Sequence, residues 1–186
     1  MSSIKDISDF TPRTEDAFIL DTNVLIKIFY PAMGAKNSSS YIALYQQLCD
    51  KCSSILISSI QLSEFVNRCI RFQFDLYRDE HPEVKDFKND YRDTPDYRES
   101  MQAILEIISE ILKSFKRVDD KFTDMSIEQL TQYGFSFDFN DALIAELCRK
   151  YNTYLITDDK DYANFLKGLN IVTNNRQLMM FQKKHC

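Results

Sequence analysis

At 186 residues the chain can bury one substantial core and is short for two domains. Hydrophobic residues at 44% and charged residues at 27% exclude wholesale disorder, and a net charge of -5 excludes a protein that coats nucleic acid by bulk attraction. Neither a local basic groove nor an acidic metal site is excluded, and only 3 Gly and 4 Pro point to a helix-rich chain with few tight turns.

The first sixteen residues are polar and predict a loosely held start. They contain no apolar stretch of signal-peptide length, and no later segment approaches a membrane span, so a cytoplasmic protein without membrane contact is expected. Ala17–Leu20 is a short apolar run that reads as a buried strand ending at Asp21. Val24–Tyr30 then predicts a brief helix stopped before Pro31, and a loop containing Gly34 follows. Tyr41, Leu44, Tyr45 and Leu48 give the next helix an apolar face. Cys49 and Cys52 close it as a lone C-x-x-C, read as a pair of structural, reduced thiols because a second pair or two histidines would be needed for zinc.

Ile55, Leu56 and Ile57 predict the second buried strand. A long helix follows from about Ser59 to Tyr77, with Leu62, Phe65, Val66, Cys69 and Ile70 on one side. Glu64 lies early in it, and Arg68 and Arg71 follow on roughly the same side. The segment 79–97 mixes charge, aromatics and two prolines and reads as an insertion or connector. Met101, Ile104, Leu105, Ile108, Ile111, Leu112 and Phe115 form an amphipathic stripe expected to be core. Ser126 with Gln129 fits a capping box for a short helix ending before Gly134.

The stretch Phe135–Phe165 concentrates the chemistry. Leu143, Ile144, Leu147, Cys148 and Tyr151 recur at helical spacing, with Asp138, Asn140 and Asp141 at the helix start and Asn152 at its stop. Tyr154–Ile156 suits a buried strand, and Thr157, Asp158, Asp159 and Asp161 follow where it ends. Capping and turn chemistry alone would explain each acid separately. A last strand lies within Gly168–Thr173, before a polar, partly helical tail.

Short apolar strands separated by helices imply an α/β domain with a mainly parallel sheet, whose ligand site lies beyond the carboxyl ends of the strands. Asp21 and Asp159 sit there, and Glu64 and Asp141 occupy helix first turns that can point to the same edge. Four acids drawn together would repel one another unless a cation intervenes. Oxygen ligands without His or Cys favour Mg²⁺ or Mn²⁺ over zinc, which makes metal-assisted phosphodiester hydrolysis the natural reaction class.

The pieces F-I-L-D-T-N-V-L-I, L-S-E-F, N-D-A-L-I-A and L-I-T-D-D-K-D-Y resemble, in order, the motifs of PIN-domain ribonucleases, most of all the toxins of bacterial toxin–antitoxin pairs. The resemblance implies a three-layer α/β/α single domain over 1–186, with its core at about 17–173 and a helical insertion at about 75–126. It implies a Mg²⁺- or Mn²⁺-dependent endoribonuclease that acts on RNA, often forms a homodimer and is silenced by a bound antitoxin. On its motifs Asp21, Glu64, Asp141 and Asp159 are the catalytic and metal-binding acids, and Asp161 is a further metal ligand. Asn23, Thr157 and Arg68 fall on the substrate side, and Tyr162 stands where the family has phenylalanine.

Two other readings stay open. Receiver-like or haloacid-dehalogenase-like phosphotransfer domains also place acids at strand ends, but Asp21-Thr22-Asn23 is not the D-x-D of the latter, and the receiver's paired acids and late lysine have no counterpart. A PIN-like module that binds RNA or protein without cutting is the rival from another class. Aromatics and cations in 72–98 would then stack and pair with single-stranded RNA, or would simply pack the insertion.

Overall fold

The sheet begins before the first apolar run. Ser3–Asp6 forms strand β1, parallel to the last strand, with Ile4 opposite Ile171. This corrects the expectation of a loosely held start. Ile4 is the one buried residue of β1, so the strand leaves almost no hydrophobic signature and depends on the open edge of its neighbour. The computed structural model describes residues 3–33, 38–131 and 138–185, and their side chains except at 129, 130, 164, 165 and 182–185. The expected features at Gly34, Gly134 and Phe135, and the Gln129 half of the capping box, lie outside the described residues or side chains.

The remaining strands are β2 (Ala17–Leu20), β3 (Ser54–Ile57), β4 (Lys116–Arg117), β5 (Tyr154–Ile156) and β6 (Asn170–Thr173). Their order is β1-β6-β5-β2-β3-β4, and every pair is parallel. β4 was not foreseen, because two exposed basic residues carry no strand pattern. The helices are α1 (Thr22–Phe29), α2 (Ser38–Asp50), α3 (Ser59–Glu80), α4 (Pro95–Ser114), α5 (Ile127–Thr131), α6 (Phe139–Tyr151) and α7 (Arg176–His185).

Strand alternation sorts the core into two halves. Phe18, Leu20, Ile55, Ile57, Ile156 and Val172 pack with residues of α1 to α4, whereas Ile19, Leu56, Leu155 and Ile171 pack with residues of α6 and α7. The result is the three-layer α/β/α arrangement expected of the resemblance. Ile144 on α6 is fully buried in the second half. We expect Ile144→Ala to cost about 3 kcal/mol through lost transfer energy and a residual cavity. Urea unfolding should show this as a lower midpoint with an unchanged slope.

α4 starts at Pro95, earlier than its apolar stripe. The Thr94 hydroxyl accepts from the Tyr97 amide at 3.1 Å, and proline at a first helical position has no amide to leave unpaired. Ile104 and Ile111 of the stripe are fully buried, but Leu105 is 54% exposed, so that part of the expected core faces outward. In the charged segment before α4, Phe87 and Tyr91 are buried and meet Phe74 of α3 at ring-centroid distances of 5.5 and 5.4 Å. The rings are packing groups, and the Arg71 guanidinium covers Phe87 at 3.9 Å. Cys49 and Cys52 are exposed free thiols at the end of α2, where Cys52 takes a left-handed φ of 52°. Among the described residues no helix is long and apolar enough to cross a membrane.

Candidate metal centre at the carboxyl edge of the sheet

The register of the two central strands builds the site. Leu20 lies opposite Ile156, so Asp21 and Thr157 leave the sheet side by side. The Asp21 amide continues the ladder to the Ile156 carbonyl at 2.9 Å, and the Thr157 hydroxyl donates to Asp21 Oδ2 at 2.9 Å. From β2 the chain proceeds to β3 on one side, and from β5 to β6 on the other. That is the switch point at which parallel sheets open a crevice.

Two helix starts are fixed against this edge. The Gln61 side chain accepts from the Ser58 amide at 3.0 Å and donates to the Leu20 carbonyl at 2.7 Å, tying the first turn of α3 to the end of β2. Glu64 follows three residues later. Asp138 caps α6 by accepting from the Asn140 amide at 3.0 Å, which leaves Asp141 in the first turn. Asp159 caps the 3₁₀ turn Lys160–Phe165 through Oδ1, which accepts from the Asp161 amide at 2.9 Å.

Polar side chains hold the acids in place. Asn23 Nδ2 donates to Asp21 at 3.3 Å and to Asp159 at 3.5 Å, while Asn23 Oδ1 accepts from Arg68 at 2.6 Å. Arg68 also lies 3.7 Å from Glu64, and Asn140 Nδ2 donates to the other Glu64 oxygen at 3.3 Å. Tyr162 donates to Asp141 Oδ1 at 3.2 Å. Thr157 has no exposed surface, and its hydroxyl serves Asp21 and the Asp159 amide. Asp161 meets the cluster through its backbone amide, which donates to Asp159 Oδ1.

Lys27 is a site residue that sequence reasoning missed, and Asn140 and Tyr162, noted there only as a helix-start residue and a motif variant, join it by contacting Glu64 and Asp141. Lys27, 8% exposed, forms an ion pair with Asp158, and Tyr41 donates to the other Asp158 oxygen at 3.1 Å. A lysine within an otherwise apolar helix was the one available signal. A cavity of about 310 Å³ opens beside this pair, lined by Asn23, Lys27, Asp158, Asp159, Lys160 and Asn175.

The electrostatics record the crowding. Burial, followed by the charges of Asp159 and Glu64, pushes the Asp21 carboxyl up to about 7, with the Thr157 hydrogen bond opposing. Burial and the charges of Asp21 and Asp159 push Asp141 up to about 8. Burial likewise raises the Tyr162 phenol well above its ordinary value, keeping it a hydrogen-bond donor. Among the described residues, no three His, Cys, Asp or Glu side chains gather closely enough to enclose an ion as they stand. Asn23, Asn140 and Arg68 lie between the acids instead. The donor set is nevertheless all oxygen, and Asp21 and Asp141, whose carboxyls burial pushes upward, would give up protons to a divalent cation. That chemistry fits Mg²⁺ or Mn²⁺.

Comparison with known proteins agrees with this architecture. The family model described as PIN domain matches residues 18–167. No curated protein sequence matches the chain. Among solved structures, VapBC2 from Rickettsia felis, bound to a DNA fragment from their promoter, aligns with a TM-score of 0.51 at 20% identity, covering 84% of this chain and 98% of that one. PAE2754 from Pyrobaculum aerophilum aligns with a TM-score of 0.50 at 16% identity, covering 92% and 99%. At these identities the likeness is one of fold.

Proposed function

The chain belongs to the PIN domain family, and on that premise we propose that it is a Mg²⁺- or Mn²⁺-dependent endoribonuclease, a hydrolase of RNA phosphodiester bonds serving as the toxin of a toxin–antitoxin pair. The observation that carries the reading is the convergence of Asp21, Glu64, Asp141 and Asp159, from four separate elements, at the β2–β5 switch point. The toxin role rests on the ordered motifs and, more weakly, on the fold shared with VapBC2. An antitoxin and a second copy of the chain are the proposed partners. Residues 1–186 act as one domain, in which 75–126 is an insertion, and its place of action is the cytoplasm.

In this reading Asp21, Glu64, Asp141 and Asp159 would hold the ion, with Asp161 as a further ligand. A divalent ion there supplies Lewis acidity to a phosphodiester oxygen and a counter-charge for the acids. The chain's own residues do the positioning. Thr157 orients Asp21 through its hydroxyl, and its burial favours that task over the open substrate contact expected of it. Tyr162, held protonated, orients Asp141. Asn23 and Arg68 form the substrate side, where the guanidinium, half-buried beside Glu64, can turn from the carboxylate to a phosphate oxygen.

The binding-module reading is favoured by one observation, the placement of Asn23, Asn140 and Arg68 between the acids. A cleavage assay separates the two. Purified protein is incubated with a panel of structured and single-stranded RNAs in Mn²⁺, Mg²⁺ or EDTA. Cleavage in either metal and none in EDTA is expected. RNA binding without cleavage under any metal would favour the module.

A further inference from the structure

We propose that the buried ion pair Lys27–Asp158 is the positioning lock of the candidate metal centre, holding the turn after β5 so that Asp159 meets Asp21 through Asn23. This rests on the metal-dependent reading of the site and deepens it by assigning two positioning residues that touch neither metal nor RNA. The placement of the pair in the chain carries the inference. α1 starts directly after Asp21 and bears Lys27 on its second turn, while Asp158 stands between Thr157 and Asp159. The exits of β2 and β5 are thus tied three times: Thr157 to Asp21 at 2.9 Å, Asn23 to Asp159 at 3.5 Å, and Lys27 to Asp158. The first two ties end on acids that a cation would claim. The third engages no proposed ligand, so it persists with or without the ion.

Asp158 is committed away from the acids. One carboxylate oxygen takes Lys27, the other accepts from the Tyr41 hydroxyl at 3.1 Å, and the carbonyl accepts from Asn175 Nδ2 at 2.6 Å. The Tyr41 hydroxyl also points to the Thr157 carbonyl at 3.1 Å and accepts from the Asn174 amide at 3.3 Å. Residues of α1, α2 and the chain after β6 therefore converge on one turn. The Lys27 ammonium sits 4.9 Å from the centroid of the Tyr41 ring, which leaves it little freedom. Burying such a pair costs desolvation that apolar side chains of similar volume would avoid, so its contribution is orientation more than stability. As a unit the pair is neutral, and it fixes Asp159 without adding net charge against an incoming cation. Groups that orient a metal's ligands in this way control its affinity without binding it.

The test combines Mn²⁺ titration calorimetry, thermal unfolding in EDTA and cleavage of a short RNA. It compares wild type, Lys27→Arg, Lys27→Met and the double variant Lys27→Met/Asp158→Leu. Lys27→Met strands a buried carboxylate and is expected to lower Tm in EDTA by roughly 10 °C. Adding Asp158→Leu removes that charge and should return Tm to within about 3 °C of wild type. Mn²⁺ affinity should nevertheless stay about 10- to 100-fold weaker in the double variant, whereas Lys27→Arg should keep it within about threefold. At saturating Mn²⁺ the double variant should show an RNA KM within about twofold of wild type and the same salt dependence. Recovery of Mn²⁺ affinity together with Tm in the double variant would show that the pair is only structural and would overturn the proposal. A raised KM and shallower salt slope at unchanged Mn²⁺ affinity would make Lys27 a substrate contact, with the same consequence. If Lys27→Met does not fold, the double variant and Lys27→Arg carry the comparison. If wild type binds Mn²⁺ and cuts no RNA, the nuclease reading fails alone, and the double variant's affinity still decides the lock. Wild type that binds no Mn²⁺ overturns both.

Discussion

Asp141→Asn protein should cleave RNA at least about a thousandfold more slowly than wild type in Mn²⁺ at pH 8, a loss of about 4 kcal/mol of transition-state stabilisation. The substitution keeps the side-chain shape and leaves an oxygen to accept the Tyr162 hydroxyl. It also imitates the neutral carboxyl that burial, Asp21 and Asp159 impose on Asp141 without metal, since that group titrates at about 8. The variant therefore differs from wild type chiefly where a cation demands the ionised form. Its fold should be intact by circular dichroism, and in EDTA at pH 8 its melting temperature should equal or exceed that of wild type. Activity within tenfold of wild type would remove Asp141 from the ligand set. A lower melting temperature in EDTA would mean that the residue was structural.

The acids were legible because their signals are local. Asp21 and Asp159 follow apolar runs that read directly as strands, and Asp141 sits in the first turn of a periodic helix, with Glu64 one turn further into another than the first-turn place expected of it. Position relative to an element end is information that a sequence carries. The groups that set their chemistry were not legible, because they meet across long intervals of chain. Asn140 reaches Glu64 from 76 residues away, and Lys27 reaches Asp158 from 131. Neither pairing has a spacing to read. Glu146 is buried at 2% exposure because Arg149 pairs with it, yet on the helical pattern it reads as a surface acid. In the segment before α4 the sequence left two roles open for the aromatics, RNA stacking or packing of the insertion; Phe87 and Tyr91 are buried against α3 and α4, which is the packing role.

In EDTA, stability is expected to fall by at least about 2 kcal/mol between pH 5 and pH 8, and excess Mn²⁺ should remove most of that fall. The sign follows from proton counting. Burial and neighbouring acids raise Asp21 to about 7 and Asp141 to about 8, from an ordinary value of 3.8. Between these limits the folded chain binds more protons than the unfolded chain, so raising the pH favours unfolding. The stabilisation is complete below about pH 4 and is lost as pH passes through 7 and then 8. Each fully engaged group contributes a slope of about 1.4 kcal/mol per pH unit, and the lower figure predicted here allows for relaxation and for repulsion that lets one acid of the pair ionise before the other. A cation held by the ionised acids reverses the balance, because it binds the folded chain and displaces its protons. Calorimetry at pH 7 in two buffers of different ionisation enthalpy should therefore register proton release as Mn²⁺ binds, and Asp141→Asn should release fewer protons. A pH-independent midpoint in EDTA would show that neither burial nor mutual repulsion raises these carboxyls, and the metal centre proposed for this edge of the sheet would lose its physical basis.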